Sequence, residues 1–198
     1  MKLYLASLSP RRQALLQQAG IAFERVDASI DESRWPEESL RACVLRLATA
    51  KARAGAAVII KTGRPPGWVL GADTVVTDGS RLLGKPESRE QAGRMLMALQ
   101  DRTHEVWTAF ACARVPEGDV PEAAGPELVV SRVTFGSWTD SELGRWLDQN
   151  EWSDKAGGYA IQGMGAAFVA RLEGSYSGVV GLPLYELRQM LTRLEGVL

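Results

Sequence analysis

Strand-like alternation and helical periodicity take turns along almost the whole chain, and this alternation limits the fold more than any other feature. Residues 2–7 alternate as a strand, 10–19 carry a helical pattern with Leu15 and Leu16 inward, and "IAFERVDA" (21–28) returns as a strand. A long helix is expected from Glu37 to about Val58, with Leu40, Val44, Leu47, Ala48 and Lys51 near one face. Residues 68–86 read as a strand, an Asp-Gly turn and a second short strand. Ser88 caps a helix reaching Leu99, and 103–115 is a long strand followed by an exposed loop, 116–127. Its expected antiparallel partner is 128–138. Thr139 and Glu142 then open a helix as a capping box. A glycine-rich segment (156–165) precedes a strand, "GSYSGVVGLP" (174–183) forms a loop, and Pro183 starts a terminal helix. Such a series specifies an α/β fold with a mixed, strongly twisted sheet. No repeat, low-complexity tract or linker divides the chain, so residues 1–198 read as one domain, with room for two lobes around a cleft.

Composition narrows the partners. A formal charge of −1 provides no global basic field for nucleic acid or an anionic membrane, so any anion site must be local. The six tryptophans are scattered without interleaved basic runs and read as packing. Cys43 and Cys112 lack CxxC spacing and fit buried thiols in a reducing compartment. Only eight residues precede Ser9-Pro10-Arg11-Arg12, too few for a signal peptide, and no apolar run is long enough to span a membrane. A cytoplasmic location is expected.

"LASLSPRRQALLQQAG" (5–20) poses the first chemical question. Arg11 and Arg12 stand in the first turn of a helix, where the macrodipole favours negative charge. Either both are solvated and Ser9 is only an N-cap before Pro10, or an anion joins them at free backbone N–H groups. Asp73 interrupts the apolar run "VLGADTVV", a costly place for a carboxylate unless it is paired, metal-bound or facing water at a strand end. A metal ligand, a general base, or both would account for it. Asp31 and Glu32 supply further oxygen ligands. Lys51 and Lys85 bring the candidate cations to four, a set suited to a triphosphate. In "WSDKAGGYAIQGMGAAF" (152–168) the glycines permit close approach to a flat ligand, Tyr159 could stack, and the Gln162 amide could read a base edge. A glycine-rich β-hairpin explains the same glycines. Other chemistries fit poorly. His104 is the sole histidine and reads as a strand residue bonding its neighbours. Neither GxSxG, GxxxxGK[ST] nor GxGxxG after a strand occurs.

Taken together, "LASLSPRRQALL", "GADTVV", "GKP", "THEVWTA", "DKAGGYAIQG" and "GSYSGVVGLPL" resemble, in order and approximate spacing, the Maf-like nucleotide pyrophosphatases. The resemblance runs from residue 3 to about 190. It implies an elongated mixed sheet similar to that of the inosine triphosphate pyrophosphatases. It also implies hydrolysis of nucleoside triphosphates to monophosphate and pyrophosphate with Mg²⁺ or Mn²⁺, and a homodimer. By position, Asp73 matches the proton acceptor, and Arg11, Arg12, Lys51 and Lys85 match polar positions around the triphosphate, with Ser7 and Ser9 assisting. Glu32, with Asp73, matches the metal site. Arg12, Thr74 and Gln162 resemble the selectivity residues of the dTTP/UTP branch rather than the 7-methyl-GTP branch. Leu8 departs from the small residue often found there. The expected function is therefore a dTTP/UTP pyrophosphatase. The alternatives are a 7-methyl-GTP or other modified-nucleotide pyrophosphatase, and a nucleotide-sensing cell-division regulator without turnover.

Overall fold

The computed structural model describes residues 2–79, 81–115 and 122–195. In chain order the elements are β1 (Leu3–Leu5), α1 (Pro10–Gln18), β2 (Glu24–Arg25), α2 (Leu40–Lys61), β3 (Gly67–Thr77), β4 (Leu82–Leu83) and α3 (Arg89–Leu99). They continue with β5 (Thr103–Val115), β6 (Glu122–Phe135), α4 (Asp140–Asp148), β7 (Val169–Glu173), α5 (Tyr176–Val180) and α6 (Leu184–Glu195). Seven strands form one mixed sheet in the order β2-β1-β3-β5-β6-β7, with β4 paired to β3. Strand β1 runs parallel to both β2 and β3, whereas β4 and β7 are antiparallel to β3 and β6. The expected mixed α/β architecture is what the chain adopts.

Two compact units share this sheet, one comprising Met1–Asp73, Thr108–Val129 and Gly181–Leu198, the other Thr74–Trp107 and Val130–Val180. In the first, α2 lays Val44, Leu47, Ala48, Ala52, Ala56 and Ile59 inward. Tyr4, Ala6, Val26, Val69, Ala111, Ala113 and Val115 complete a core around Ala52, Ala56 and Ile59. Helix α2 begins at Leu40 rather than Glu37, because the Ser39 hydroxyl accepts the Ala42 N–H and Glu37 lies outside at φ 60°. It also runs three residues past Val58.

Small residues let α2 approach β3 closely. A Cβ on Gly55 would lie 2.7 Å from Val69 Cγ1, and one on Gly71 would lie 2.4 Å from both Ala48 O and Ala52 N. Residues 69, 71 and 73 share a face of β3 by strand alternation, so the contact that requires glycine at 71 also turns Asp73 toward α2.

The second unit has an aromatic core. Trp146 stacks on Phe168 with centroids 5.0 Å apart, and Phe135 meets Trp138, Trp146 and Tyr159 edge-on. The helix starts read from sequence hold: Ser88 accepts the Gln91 N–H, and Thr139 and Glu142 form a reciprocal capping box.

Several boundaries differ from expectation. Strand β1 is shorter than 2–7, and 21–28 contributes only the two residues of β2, which pair with Tyr4 and Leu5. Strand β6 begins at Glu122, six residues before 128, so it takes up part of the expected 116–127 loop; residues 116–121 lie outside the described residues. Ser80, beside the Asp78-Gly79 turn, also lies outside them. The glycine-rich segment is not a hairpin. It forms two 3-10 turns, Ala156–Gly158 and Met164–Phe168, and Gly157 takes φ 72° inside the first. The 174–183 loop contains α5, whose N-terminal turn is tied by Ser175 Oγ accepting the Gly178 N–H.

Candidate active site

The first unit builds a charged cluster at the point where α2 meets β3. Lys51 Nζ donates to Asp73 Oδ1 at 2.8 Å and pairs with Glu32 Oε1 at 3.0 Å. The Lys51 and Asp73 side chains are only 12% and 11% exposed, while Glu32 is 62% exposed, so a largely buried ion pair carries an outer carboxylate. Burying two charges costs free energy that their mutual attraction offsets only in good geometry, and this pair has it. The ammonium has three donors, of which Asp73 takes one as a hydrogen bond, while Glu32 pairs with its charge. Asp31 plays a different part: its carboxylate accepts the Ser33 N–H at 2.9 Å and shapes the loop. That hydrogen bond holds its carboxyl below the ordinary aspartate value.

Arg12 stands beside this cluster on α1. Its Nε donates to Gly181 O at 2.8 Å and a terminal nitrogen donates to Ser7 Oγ at 3.2 Å. The Ser7 hydroxyl also accepts the Ser9 N–H at 3.2 Å. Arg12 therefore clasps the β1–α1 loop to the residue preceding Leu182, which fixes its plane. Burial lowers its pKa from the ordinary arginine value, Asp73 opposes this, Arg11 adds to the lowering, and Glu32 opposes it. Ser9 occupies the N-cap position with Pro10 at N1, but its hydroxyl makes no capping bond. The two readings of this stretch thus meet: Ser9 is the N-cap by position, while the half-buried Arg12 is no solvated surface residue.

The second unit carries the remaining candidates. Lys85 is 67% exposed and pairs with Asp154 at 2.6 Å. Gly157 N donates to Gly84 O at 3.1 Å, tying the loop that holds Lys85 to the glycine-rich segment. Gln162 is exposed, and alternation along β3 turns Thr74 to the face opposite Asp73. Tyr159 is not a stacking platform. It is 6% exposed, packs edge-on against Phe135, and hydrogen-bonds His104 Nε2 at 2.7 Å. His104 therefore bonds a residue 55 positions away rather than its strand neighbours. Burial lowers the His104 pKa to about 4 and raises the Tyr159 phenol well above its ordinary value. Cys43 and Cys112 are free and buried, as expected, and burial raises the Cys112 thiol to about 12.

One contributor escaped the sequence reading: the Gly71 contact, signalled by Ala48, Ala52 and Gly55 spaced along one helix face. Asp154, a charged residue of the 152–168 segment, proves to be the partner of Lys85.

Among the described residues, no group of three or more His, Cys, Asp or Glu side chains is arranged to hold a metal ion. Glu32 and Asp73 converge on one ammonium, so they place two hard oxygen donors at one point. That set fits a cation such as Mg²⁺, which typically takes one or two carboxylates and completes its shell with phosphate oxygens and water.

The chain is 45% identical to the dTTP/UTP pyrophosphatase of Escherichia coli (strain K12), covering 98% of this chain and 94% of that protein. It is 46% identical to the dTTP/UTP pyrophosphatase of Pseudoalteromonas atlantica, covering 98% and 97%. A solved nucleoside-triphosphatase (dITP/XTP pyrophosphatase) from Mycobacterium abscessus overlaps 67% of this chain and 74% of its own at 20% identity and a TM-score of 0.37, too slight a likeness to carry weight. The Maf-like protein family model matches residues 2–194, end to end through both units, and the chain belongs to the Maf-like family.

Proposed function

We propose that this protein hydrolyses dTTP and UTP to the nucleoside monophosphate and pyrophosphate. The observation that carries the reading is the 45–46% identity, over 98% of the chain, to dTTP/UTP pyrophosphatases. The Lys51–Asp73 pair supplies a matching chemistry.

Asp73 accepts a proton from water as the water oxygen attacks the α-phosphorus. A new P–O bond forms, the bond to the bridging oxygen of the β-phosphate breaks, and pyrophosphate leaves with the electron pair. Lys51 orients the Asp73 carboxylate and offers a further donor to a phosphate oxygen. Arg11 and Lys85 neutralise charge that builds on the leaving group, with Ser7 and Ser9 lining the phosphate end. Arg12, held by Ser7 and Gly181, presents a fixed guanidinium plane. Glu32 and Asp73 are the residues that would hold Mg²⁺ or Mn²⁺. Such a cation, when bound, screens phosphate charge and polarises the P–O bonds. Gln162, with Arg12 and Thr74, selects the base: its amide offers one acceptor and one donor group to the edge of thymine or uracil. A cytoplasmic homodimer without nucleic-acid or membrane partners completes the reading. The net charge of −1 and two free buried thiols support the location and the lack of such partners, the homodimer rests on the family resemblance, and no described helix is long and apolar enough to cross a membrane.

Turnover of dTTP in ¹⁸O-labelled water tests the reaction, with pyrophosphate and orthophosphate measured separately. Label should enter the monophosphate. Label in pyrophosphate would assign attack to the β-phosphorus, and orthophosphate with the diphosphate would assign γ-cleavage. A canonical and modified nucleotide panel tests the substrate, and a preference for 7-methyl-GTP, or binding without turnover, would overturn it.

A further inference from the structure

The turn that carries Gln162 is held from below by a carboxylate to which no role has been given. Gly163 N donates to Ala160 O at 3.2 Å, closing a four-residue turn in which Ile161 is buried and Gln162 is exposed. Immediately after it, Met164 N donates to Glu151 Oε2 at 2.7 Å. The same carboxylate fills the space beside Gly163: a Cβ there would stand 2.2 Å from Oε2 and 2.6 Å from Oε1. Gly163 is thus glycine because Glu151 occupies its side-chain position, and Glu151 is half-buried because the turn closes over it. On the far side, Gly165 packs with no room for a Cβ against Ala160 O and Trp146.

We propose that Glu151 is the positioning residue for Gln162, setting the height and angle at which the amide meets the pyrimidine edge. This rests on the reading of Gln162 as the base-selecting residue. A charge-assisted bond to a backbone N–H is stronger and shorter than a neutral one, which suits a turn that must not move when a base arrives. An edge contact to a base is made in both the ground and transition states, so its loosening acts on KM more than on kcat. A flexible turn also accepts other bases more readily, so discrimination falls with affinity.

The experiment compares steady-state kinetics on dTTP and on GTP for five variants and the unaltered protein. Glu151→Ala should raise KM for dTTP roughly tenfold, leave its kcat within about threefold, and narrow the dTTP/GTP ratio of kcat/KM. Glu151→Gln keeps an acceptor for the Met164 N–H and should restore most of that ratio. Gly163→Ala, which displaces the carboxylate, should reproduce Glu151→Ala, and the double variant should be no worse than either alone. Gln162→Ala separates the two ideas. If Gln162→Ala narrows the ratio and Glu151→Ala does not, the positioning role is overturned while the base reading stands. If Gln162→Ala leaves the ratio unchanged, the base reading itself fails. Equal losses of kcat on both nucleotides in Glu151→Ala, with no recovery in Glu151→Gln, would reduce Glu151 to a fold-holding residue.

Discussion

Lys51 Nζ lies 2.8 Å from Asp73 Oδ1, bridging the middle of α2 to a strand residue 22 positions later. Replacing either partner separates the chemical role of the pair from its structural one. Asp73→Asn keeps the shape and removes the proton acceptor, so kcat should fall roughly 10²-fold or more with the fold retained. Near-normal turnover in a folded variant would exclude Asp73 as the base. Lys51→Met should instead cost stability, about 3 kcal/mol by urea unfolding, because it strands a buried carboxylate. Adding Asp73→Asn to Lys51→Met should recover much of that loss.

Gly71→Ala tests how the pair is brought together. The added methyl would meet the backbone of Ala48 and Ala52 at 2.4 Å, atoms that cannot swing aside as a side chain can. The helix must lift from the strand. We expect a loss of about 1–3 kcal/mol in unfolding free energy together with a fall in kcat. A variant equal to the parent in both would show that the approach of α2 to β3 does not set the Lys51–Asp73 geometry.

His104 provides a pH prediction. Its pKa is lowered by burial from the ordinary 6.5 to about 4, so above pH 6.5 the folded and unfolded forms are both neutral there and stability is at its plateau. As pH falls from about 6.5 to about 4, the unfolded chain takes up the proton first, and roughly 3 kcal/mol of stability should be lost across that window. In His104→Gln, unfolding free energy plotted against pH should be flatter between pH 6.5 and 5. An unchanged slope would assign acid sensitivity to other groups.

Gln162→Glu should lower kcat/KM for dTTP and UTP more than for a guanine or 7-methylguanine nucleotide. An ionised carboxylate only accepts and faces a pyrimidine carbonyl, and one unmade edge bond in a closed site costs about 1–3 kcal/mol. Parallel losses on every substrate would assign Gln162 to the loop or to phosphate placement.

Much of this protein was legible in its residues. The order of strands and helices, the caps at Ser88 and Thr139, and the 103–115 strand follow from patterns within a turn or two of chain, where local preference decides. The charged residues Arg12, Lys51, Asp73 and Glu32 were identifiable as candidates by residue type and by their positions in the family resemblance. Their meeting was not. Lys51 reaches Asp73 because Gly71 admits the helix backbone, and nothing local to "VLGADTVV" specifies which helix will lie there. Tyr159 looked available for stacking because an aromatic beside glycines reads as exposed; only the aromatic core of the second unit, with His104 55 residues away, buries it. Nothing local to Glu151 marks it, because only the return of the chain places Met164 over its carboxylate. Local preference draws on contacts between near neighbours in sequence, whereas these three relationships are contacts between distant segments, and only packing of the whole chain brings such segments together.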